Sequence, residues 1–212
     1  MTLELILVRH GETDFNRDGV FRGLLEVRLN ATGVAQADAT AEALSGKVFD
    51  AIYSSPLKRA LVTATRIAKP HEIQIRKVDG LMDIDFGAWS GLTEKEVQEK
   101  FPKQYETWMQ KPGNARFPRG ESAKKAWKRI NSSLREILFT HGTGTVVIVS
   151  HRVPIKMMTA YLLGKTRHDI NEIKHDPCAI SMFKIDGRDY KPVVLNDSSH
   201  LAKLSIGSQR DF

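Results

Sequence analysis

The sequence has a single cysteine, Cys178, among its 212 residues. One thiol excludes a disulfide within the chain and a zinc site of four thiolates. Disulfides are rare in reducing compartments, so a chain that forms none is typical of the cytosol. We therefore expect a cytoplasmic protein.

Long apolar runs are also missing. The longest span only four residues, at 5–8 and 146–149, against the roughly 20 needed to cross a bilayer. The first eight residues have no basic stretch ahead of an apolar one, which a secretory signal would show. We expect neither export nor a membrane partner.

Acidic residues are in the minority. The 32 lysines and arginines exceed the 25 aspartates and glutamates by 7, and a basic surplus favours an anionic partner, whether nucleic acid, a membrane or a small phosphorylated or carboxylated molecule. Residues 100–136 contain ten basic and three acidic residues, so the whole surplus lies there. Most of these charges are predicted to form a solvated helix face. Arg116 and Arg119 are not part of this helix face, because they lie in the irregular segment that precedes the helix.

What is present is the composition of a globular protein, with 41% apolar and 27% charged residues. Apolar strand patterns alternate with capped helical patterns, which predicts an α/β fold, a three-layer α/β/α sandwich with a mostly parallel central sheet. The predicted strands are 5–8, 51–53, 73–78, 146–149, 179–185 and 193–195. The predicted helices are 31–44 after Asn30, 57–68 after Ser55-Pro56, 94–100 after Thr93, a long one after Ser122, and one between Pro154 and Gly164.

The length favours a single domain over 1–212 rather than two domains. The stretch from Pro102 to Gly120 is rich in proline and glycine and lacks regular periodicity. We predict that it belongs to an insertion or lid at about 92–121.

The two most buried strand patterns each end on a histidine beside an arginine. Arg9-His10 follows the first and His151-Arg152 follows the second. Arg59 comes shortly after the strand at 51–53. Because ligands in open α/β sheets bind beyond the carboxyl ends of the strands, we expect these groups to form one cationic pocket. Arginines in such a pocket can hold phosphate oxygens, and a histidine can act as nucleophile, base or hydrogen-bond donor.

The segment Leu7–Asn16, which contains Arg9-His10-Gly11-Glu12, resembles the opening signature of the histidine phosphatase superfamily, in its phosphoglycerate-mutase-like branch. Five further blocks follow in the family's order, at 29–37, 53–60, 85–91, 120–122 and 149–151. Within the family, the short form of this chain is most similar to the α-ribazole-phosphate phosphatase and broad-specificity group.

The resemblance implies a phosphatase that hydrolyses a small phosphomonoester through a phosphohistidine, with no metal or other cofactor. His10 would attack phosphorus, splitting one difficult displacement into two easier ones. Arg9, Arg59 and His151 would neutralise the phosphate oxygens in the transition state. Asp83 aligns with the family's usual glutamate and would give a proton to the leaving oxygen.

The choice of acid stays open at this point. Asp83 is one methylene shorter than glutamate, and Asp85 would share its face if the segment is extended. Arg152 stands where the family commonly has glycine, and it either adds a cation to the pocket rim or points to solvent.

Three more residues, Asn16, Arg22 and Gly23, match positions where family members touch substrate. A loop-capping asparagine and a solvent-facing arginine explain the first two almost equally well. The histidines outside the two strand ends are interpreted as structural and receive no role; they are His71, His141, His168, His175 and His200.

Two other functions are compatible with the sequence. One is a phosphoglycerate-type mutase, although the short segment between Asp83 and Gly120 should admit water and so favours hydrolysis. The other is a catalytically inert protein on the same fold that binds an anion or nucleic acid, against which the absence of nucleic-acid-binding motifs counts. We expect a small phosphorylated metabolite as partner and no nucleic acid, with a homo-oligomer possible.

Overall fold

The computed structural model describes residues 2–204, and these contain one six-stranded β-sheet. Its strands are β1 (Leu3–Arg9), β2 (Ala51–Ser54), β3 (Ile75–Lys77), β4 (Gly144–Ser150), β5 (Ile180–Asp186) and β6 (Asp189–Asp197). Across the sheet the order is β3-β2-β4-β1-β5-β6. Neighbours from β3 to β1 pair in parallel, and β5 pairs antiparallel with both β1 and β6. The predicted mostly parallel sheet is confirmed, and each predicted strand segment overlaps an observed strand.

The α-helices of the described residues are α1 (Asp14–Arg17), α2 (Ala31–Leu44), α3 (Lys58–Ala68), α4 (Glu94–Lys100), α5 (Pro102–Gln110), α6 (Ala123–Thr140) and α7 (Arg152–Leu162). Short 3₁₀ turns, among them Asp79–Leu81 and Gly87–Trp89, lie between them. Within residues 2–204, every helix is too short or too polar to cross a bilayer.

The central strands face two separate cores. Successive side chains of a strand point to opposite faces, so Leu5 and Leu7 of β1 pack with α6 and α7. Ile6 and Val8 pack with α2 and α3 on the other side. This arrangement confirms the three-layer sandwich.

Three predicted helix starts are confirmed by their caps. The Asn30 side chain accepts a hydrogen bond from the Gly33 amide at 2.8 Å. Thr93 forms a capping box at the start of α4, and Ser122 caps α6. Such caps supply partners to amides that a helix leaves unpaired in its first turn.

The helices α3 and α7 begin at other residues than the sequence predicted. α3 begins at Lys58 with Leu57 as N-cap, so the predicted Ser55 cap is wrong. α7 begins at Arg152, two residues before Pro154. A proline is tolerated there because first-turn amides have no intrahelical partner to lose.

The stretch predicted to be irregular contains a helix, α5. Pro102 stands in its first turn, where its fixed φ suits a helix start. Tyr105 and Trp108 lie three residues apart on one face and pack against the aromatic rings of Trp89 and Phe86. The role of 92–121 as a lid stays a prediction, as does the single domain over 1–212, whose ends lie outside the described residues.

Candidate active site

The two predicted histidines meet because β1 and β4 are adjacent and parallel. Arg9 pairs with Ser150 in the sheet register, and the His10 amide donates to the Ser150 carbonyl at 2.9 Å. The next residue on β4's side is His151, whose ring centroid lies 5.2 Å from that of His10. Both side chains are fully buried. The expected convergence of the two strand ends is confirmed.

The loop carrying His10 rests directly on the N-terminus of α2. A Cβ at Gly11 would overlap the Gly33 carbonyl, and a Cβ at Gly33 would overlap the Glu12 backbone. Only glycine permits this close approach of two backbones. The two glycines thus fix the position of His10 relative to α2.

The tautomer of His10 follows from its hydrogen bond. Its Nδ1 lies 2.7 Å from the Gly11 carbonyl, which can only accept, so Nδ1 holds the proton and Nε2 has the lone pair. Nε2 is buried and has no hydrogen-bond partner within residues 2–204. Burial and the nearby cations Arg22, Arg59 and Arg9 hold the pKa of His10 well below its usual 6.5. A neutral imidazole with a buried free lone pair is the form that can act as a nucleophile.

His151 has the opposite tautomer. Arg59 donates from Nε to its Nδ1 at 3.1 Å, so the proton is on Nε2, which lies 2.7 Å from the Ser55 hydroxyl. Burial, followed by the charge of Arg59, holds the pKa of His151 well below 6.5. Both histidines are therefore neutral near pH 7.

Arg59, on the first turn of α3, is fully buried and tied to four groups. Beyond His151, it donates to the carbonyls of Leu25 at 2.8 Å and Gly23 at 2.6 Å, and its Nη2 lies 3.3 Å from the Asp83 carboxylate. Gly23 thus contributes a backbone carbonyl that orients Arg59. Its φ of +48° favours glycine at this position.

Three further arginines surround the site. Arg9 donates to the His175 carbonyl at 2.6 Å. Arg22 is only 8% exposed, and its side chain makes no hydrogen bond within the described residues. Burial, followed by the charges of Arg59 and Arg9, holds its pKa well below 12.5. Arg152 is 9% exposed and lines the pocket described below, together with Arg9 and Arg22. The solvent-facing interpretation of Arg22 and Arg152 is therefore wrong.

Arg9, Arg22 and Arg152 line one small pocket, whereas His10, Arg59 and His151 are not part of its lining. Its polar lining consists of three arginines, one carboxylate and one amide, and its remaining wall is mainly aromatic. The polar residues are Arg9, Arg22, Arg152, Asp83 and Asn16. Apolar lining comes from Phe15, Val20, Phe21, Phe86 and Val153.

The structure separates the two aspartates. Asp83 lines the pocket, with Oδ2 4.0 Å from His151 Nδ1 and Oδ1 accepting from the Ile84 amide at 3.0 Å. Asp85 instead accepts from the Gly87 amide at 2.9 Å and is not part of the lining. The expected shared face does not form, because the segment is not a strand.

Asn16 caps a helix and also lies in the pocket lining, while its contact with substrate stays a prediction. Its side-chain oxygen accepts from the amide of Thr13 at 3.1 Å and from its hydroxyl at 2.9 Å, which caps α1. The same side chain lines the pocket, and its amide nitrogen has no hydrogen bond within the described residues.

Sequence reasoning missed several contributors. Ser55 stands in a recognised block, yet its contact with His151 is visible only in three dimensions. His175 acts through its backbone carbonyl, which leaves no signal in the sequence. The aromatic wall could have been sought in the Phe15 and Phe21 positions that flank Asn16 and Arg22.

The comparisons with known proteins agree with this geometry. Residues 5–198 match the histidine phosphatase superfamily (branch 1). The chain belongs to this superfamily. Phosphoserine phosphatase 1 of Hydrogenobacter thermophilus is 36% identical over 208 residues, which cover 98% of this chain and 99% of that protein.

Two solved structures are similar over nearly the whole chain. A putative α-ribazole-5′-P phosphatase from Escherichia coli superposes with a TM-score of 0.86 at 25% identity, covering 92% of this chain and 96% of that one. A phosphoserine phosphatase mutant from Entamoeba histolytica, in complex with phosphoserine, gives 0.83 at 30% identity, covering 94% and 99%. The predicted resemblance and fold are confirmed: this histidine phosphatase is a small-molecule phosphomonoesterase.

No cluster of three or more His, Cys, Asp or Glu side chains suited to a metal ion occurs among residues 2–204. The independence of this phosphatase from metals and other cofactors stays a prediction.

Lowering the pH from 7.5 to 5.5 is expected to reduce the free energy of unfolding. The folded-state pKa values of His10 and His151 lie well below 6.5, so the unfolded chain takes up protons that the folded chain does not. Stability is then complete above about 6.5 and falls below it, by up to about 1.4 kcal/mol per pH unit for each histidine. Urea unfolding should show a drop about 3 kcal/mol smaller in a His10→Asn/His151→Asn variant.

The exposed His168 provides the control. A His168→Asn variant should keep the drop of the unmodified protein. An equal drop in the unmodified protein and the double variant would show that the two buried histidines do not govern this pH dependence.

Proposed function

We propose that this phosphatase forms a phosphohistidine on His10 and then hydrolyses it. The observation that best supports the proposal is the buried, unpartnered Nε2 lone pair of His10. Nε2 would attack phosphorus in line, so that the P–N bond forms as the P–O bond to the alcohol breaks. The Gly11 carbonyl, bonded to Nδ1, would stabilise the positive charge of the phosphorylated ring.

Arg9, Arg22 and Arg59 would bind the transferring phosphoryl group. Transition-state charge collects on its equatorial oxygens, and fixed cations in a dry site stabilise it strongly. In the structure, the single ring N–H of the neutral His151, at Nε2, points at the Ser55 hydroxyl. His151 would act through Arg59, because its Nδ1 accepts from Arg59 Nε at 3.1 Å and so orients that guanidinium.

Asp83 would supply and recover the proton. In the first step its carboxyl group protonates the departing alcohol oxygen; in the second, the resulting carboxylate takes a proton from the water that attacks phosphohistidine. Phosphate leaves, and His10 returns to its neutral form. The position of Asp83 Oδ2, 3.3 Å from Arg59 Nη2 and 4.0 Å from His151 Nδ1, supports this role.

We propose that the substrate bears a second acidic group beside the phosphate, as phosphoserine does. The four arginines of the site, Arg9, Arg22, Arg59 and Arg152, carry four positive charges against the one negative charge of Asp83. One positive charge therefore remains beyond what a phosphate dianion neutralises. Two relatives are named phosphoserine phosphatases. The matched comparison is O-phosphoserine against O-phosphoethanolamine, which lacks the carboxylate; we expect kcat/KM to favour phosphoserine by tenfold or more.

We also propose a cytoplasmic location and a small-molecule partner rather than nucleic acid. The one thiol, Cys178, is free and buried, which suits a reducing compartment. The four arginines of the site are each at most 9% exposed. Cations buried in a pocket can neutralise a small anion but cannot follow the backbone of a polymer.

The test is a quench experiment with ³²P-labelled substrate. We expect acid-labile label on the protein, phosphate release that survives EDTA, and inhibition by vanadate. Label passed to a sugar-acid acceptor with little release would indicate the mutase instead. Absence of both label and turnover on a phosphomonoester panel would indicate an inert protein, and loss of activity in EDTA would contradict metal independence.

A further inference from the structure

The main chain that carries Asp83 follows the short 3₁₀ turn Asp79–Leu81 and is held by hydrogen bonds from side chains. Four successive carbonyls, from Gly80 to Asp83, each accept a hydrogen bond from a side chain. The donors are Arg129 Nη1 to Gly80 at 3.0 Å and Met82 at 2.9 Å, Ser150 Oγ to Leu81 at 2.7 Å, and Arg129 Nη2 to Asp83 at 3.2 Å. One arginine therefore supplies three of the four contacts.

Arg129 is itself fixed in place. It lies on α6, and its Nη2 pairs with the Glu121 carboxylate. The same Glu121 oxygen accepts from the Asp85 amide at 3.1 Å. The Arg129–Glu121 pair thus holds the backbone on both sides of Asp83.

α6 approaches this segment closely. A Cβ at Gly80 would overlap the Ser133 hydroxyl, one turn beyond Arg129 on the same helix. Arg129 does not line the pocket, so it can influence the reaction only through the groups that it positions.

We propose that Arg129 is a positioning residue for the acid step: it sets the backbone so that the short Asp83 side chain reaches the leaving oxygen. This inference rests on the proposed function, in which Asp83 is the acid. General acid catalysis depends on hydrogen-bond reach, and a displacement of about 1 Å can cost about 10²-fold. An aspartate tolerates less displacement than a longer side chain would.

Leaving-group dependence separates this role from a merely structural one. The weakly basic nitrophenolate of p-nitrophenyl phosphate leaves without a proton, whereas the alkoxide of O-phosphoserine needs one. kcat/KM reports only the steps up to alcohol release, so hydrolysis of phosphohistidine does not mask the effect. We expect Arg129→Ala to lower kcat/KM for phosphoserine about 30-fold and for p-nitrophenyl phosphate less than about threefold.

Rescue and control variants make the test specific. Asp83→Glu added to Arg129→Ala should recover at least about threefold of the phosphoserine activity, because the longer side chain needs less exact placement. Arg135→Ala is the matched control on the same helix, since Arg135 is exposed, donates to Ser132 and lies over the Tyr161 ring, away from the Asp83 segment. It should leave the ratio of the two activities unchanged.

The Asp83→Asn variant separates the acid role of Asp83 from the positioning role of Arg129. If it lowers both activities equally, Asp83 is not the acid and the proposed function fails at that step. If Asp83→Asn selectively loses phosphoserine activity but Arg129→Ala loses both equally or neither, the positioning role is overturned. Should Arg129→Ala not fold, Glu121→Gln keeps the side-chain shape and should show a smaller selective loss; an equal loss on both substrates would overturn the inference.

Discussion

Replacing His10 with alanine is expected to lower kcat for p-nitrophenyl phosphate by about 10⁴-fold or more. Nε2 of His10 is buried near three arginines and has no hydrogen-bond partner within residues 2–204. With an alanine, the phosphate is still surrounded by cations, but no group forms the P–N bond. Water would have to attack the ester directly, which is far slower.

Binding should survive this change. Arg9, Arg22 and Arg59 remain in the His10→Ala variant, so inorganic phosphate should still raise its Tm by preferential binding to the folded state. The variant should also give no acid-labile ³²P label. A loss of less than about tenfold in kcat, with label retained, would contradict a nucleophilic His10.

The convergence of the two histidines could be predicted because it depends on short-range pattern and simple topology. The two purely apolar runs, 5–8 and 146–149, are typical of central strands, and a histidine follows each of them within two residues. Parallel pairing of Arg9 with Ser150 then left His10 and His151 side by side. Arg59 followed for the same reason, since β2 pairs with β4 and its chain continues into α3 at the same edge.

The choice between Asp83 and Asp85 could not be predicted, because it depends on residues far along the chain. Arg129 and Glu121 hold the segment from positions 46 and 36 residues away. An assumed extended strand put both carboxylates on one face, whereas the side-chain contacts impose an irregular path. The contact of Arg9 with the His175 carbonyl was hidden for a related reason, because any residue type could supply that carbonyl.

Arg22→Met is expected to change stability and activity in opposite directions. The Arg22 side chain is buried and makes no hydrogen bond within residues 2–204. Arg59, Arg9 and Arg152 repel its charge, and Asp83 attracts it. Replacing a poorly compensated buried charge with an apolar side chain of similar size stabilises by about 1–3 kcal/mol. For a chain of this length that raises Tm by about 2–4 °C per kcal/mol.

Activity should fall in the same variant. If Arg22 binds the transferring phosphoryl group, its loss removes charge stabilisation from the transition state, and we expect kcat/KM to drop by about 10³-fold. Saturating phosphate should raise the Tm of the unmodified protein more than that of Arg22→Met, because the anion supplies the missing partner of the arginine. Arg135→Met, on an exposed arginine, should alter neither quantity.

The predicted rise in Tm together with a fall in kcat/KM distinguishes this effect from general disruption of the fold. A substitution that merely disrupts the fold lowers Tm and activity together. A lower Tm with kcat/KM within about threefold would show that Arg22 serves the fold and not the substrate. A higher Tm with lost turnover is the result expected if the protein maintains a buried, repelled cation because the phosphate it binds compensates that charge during the reaction.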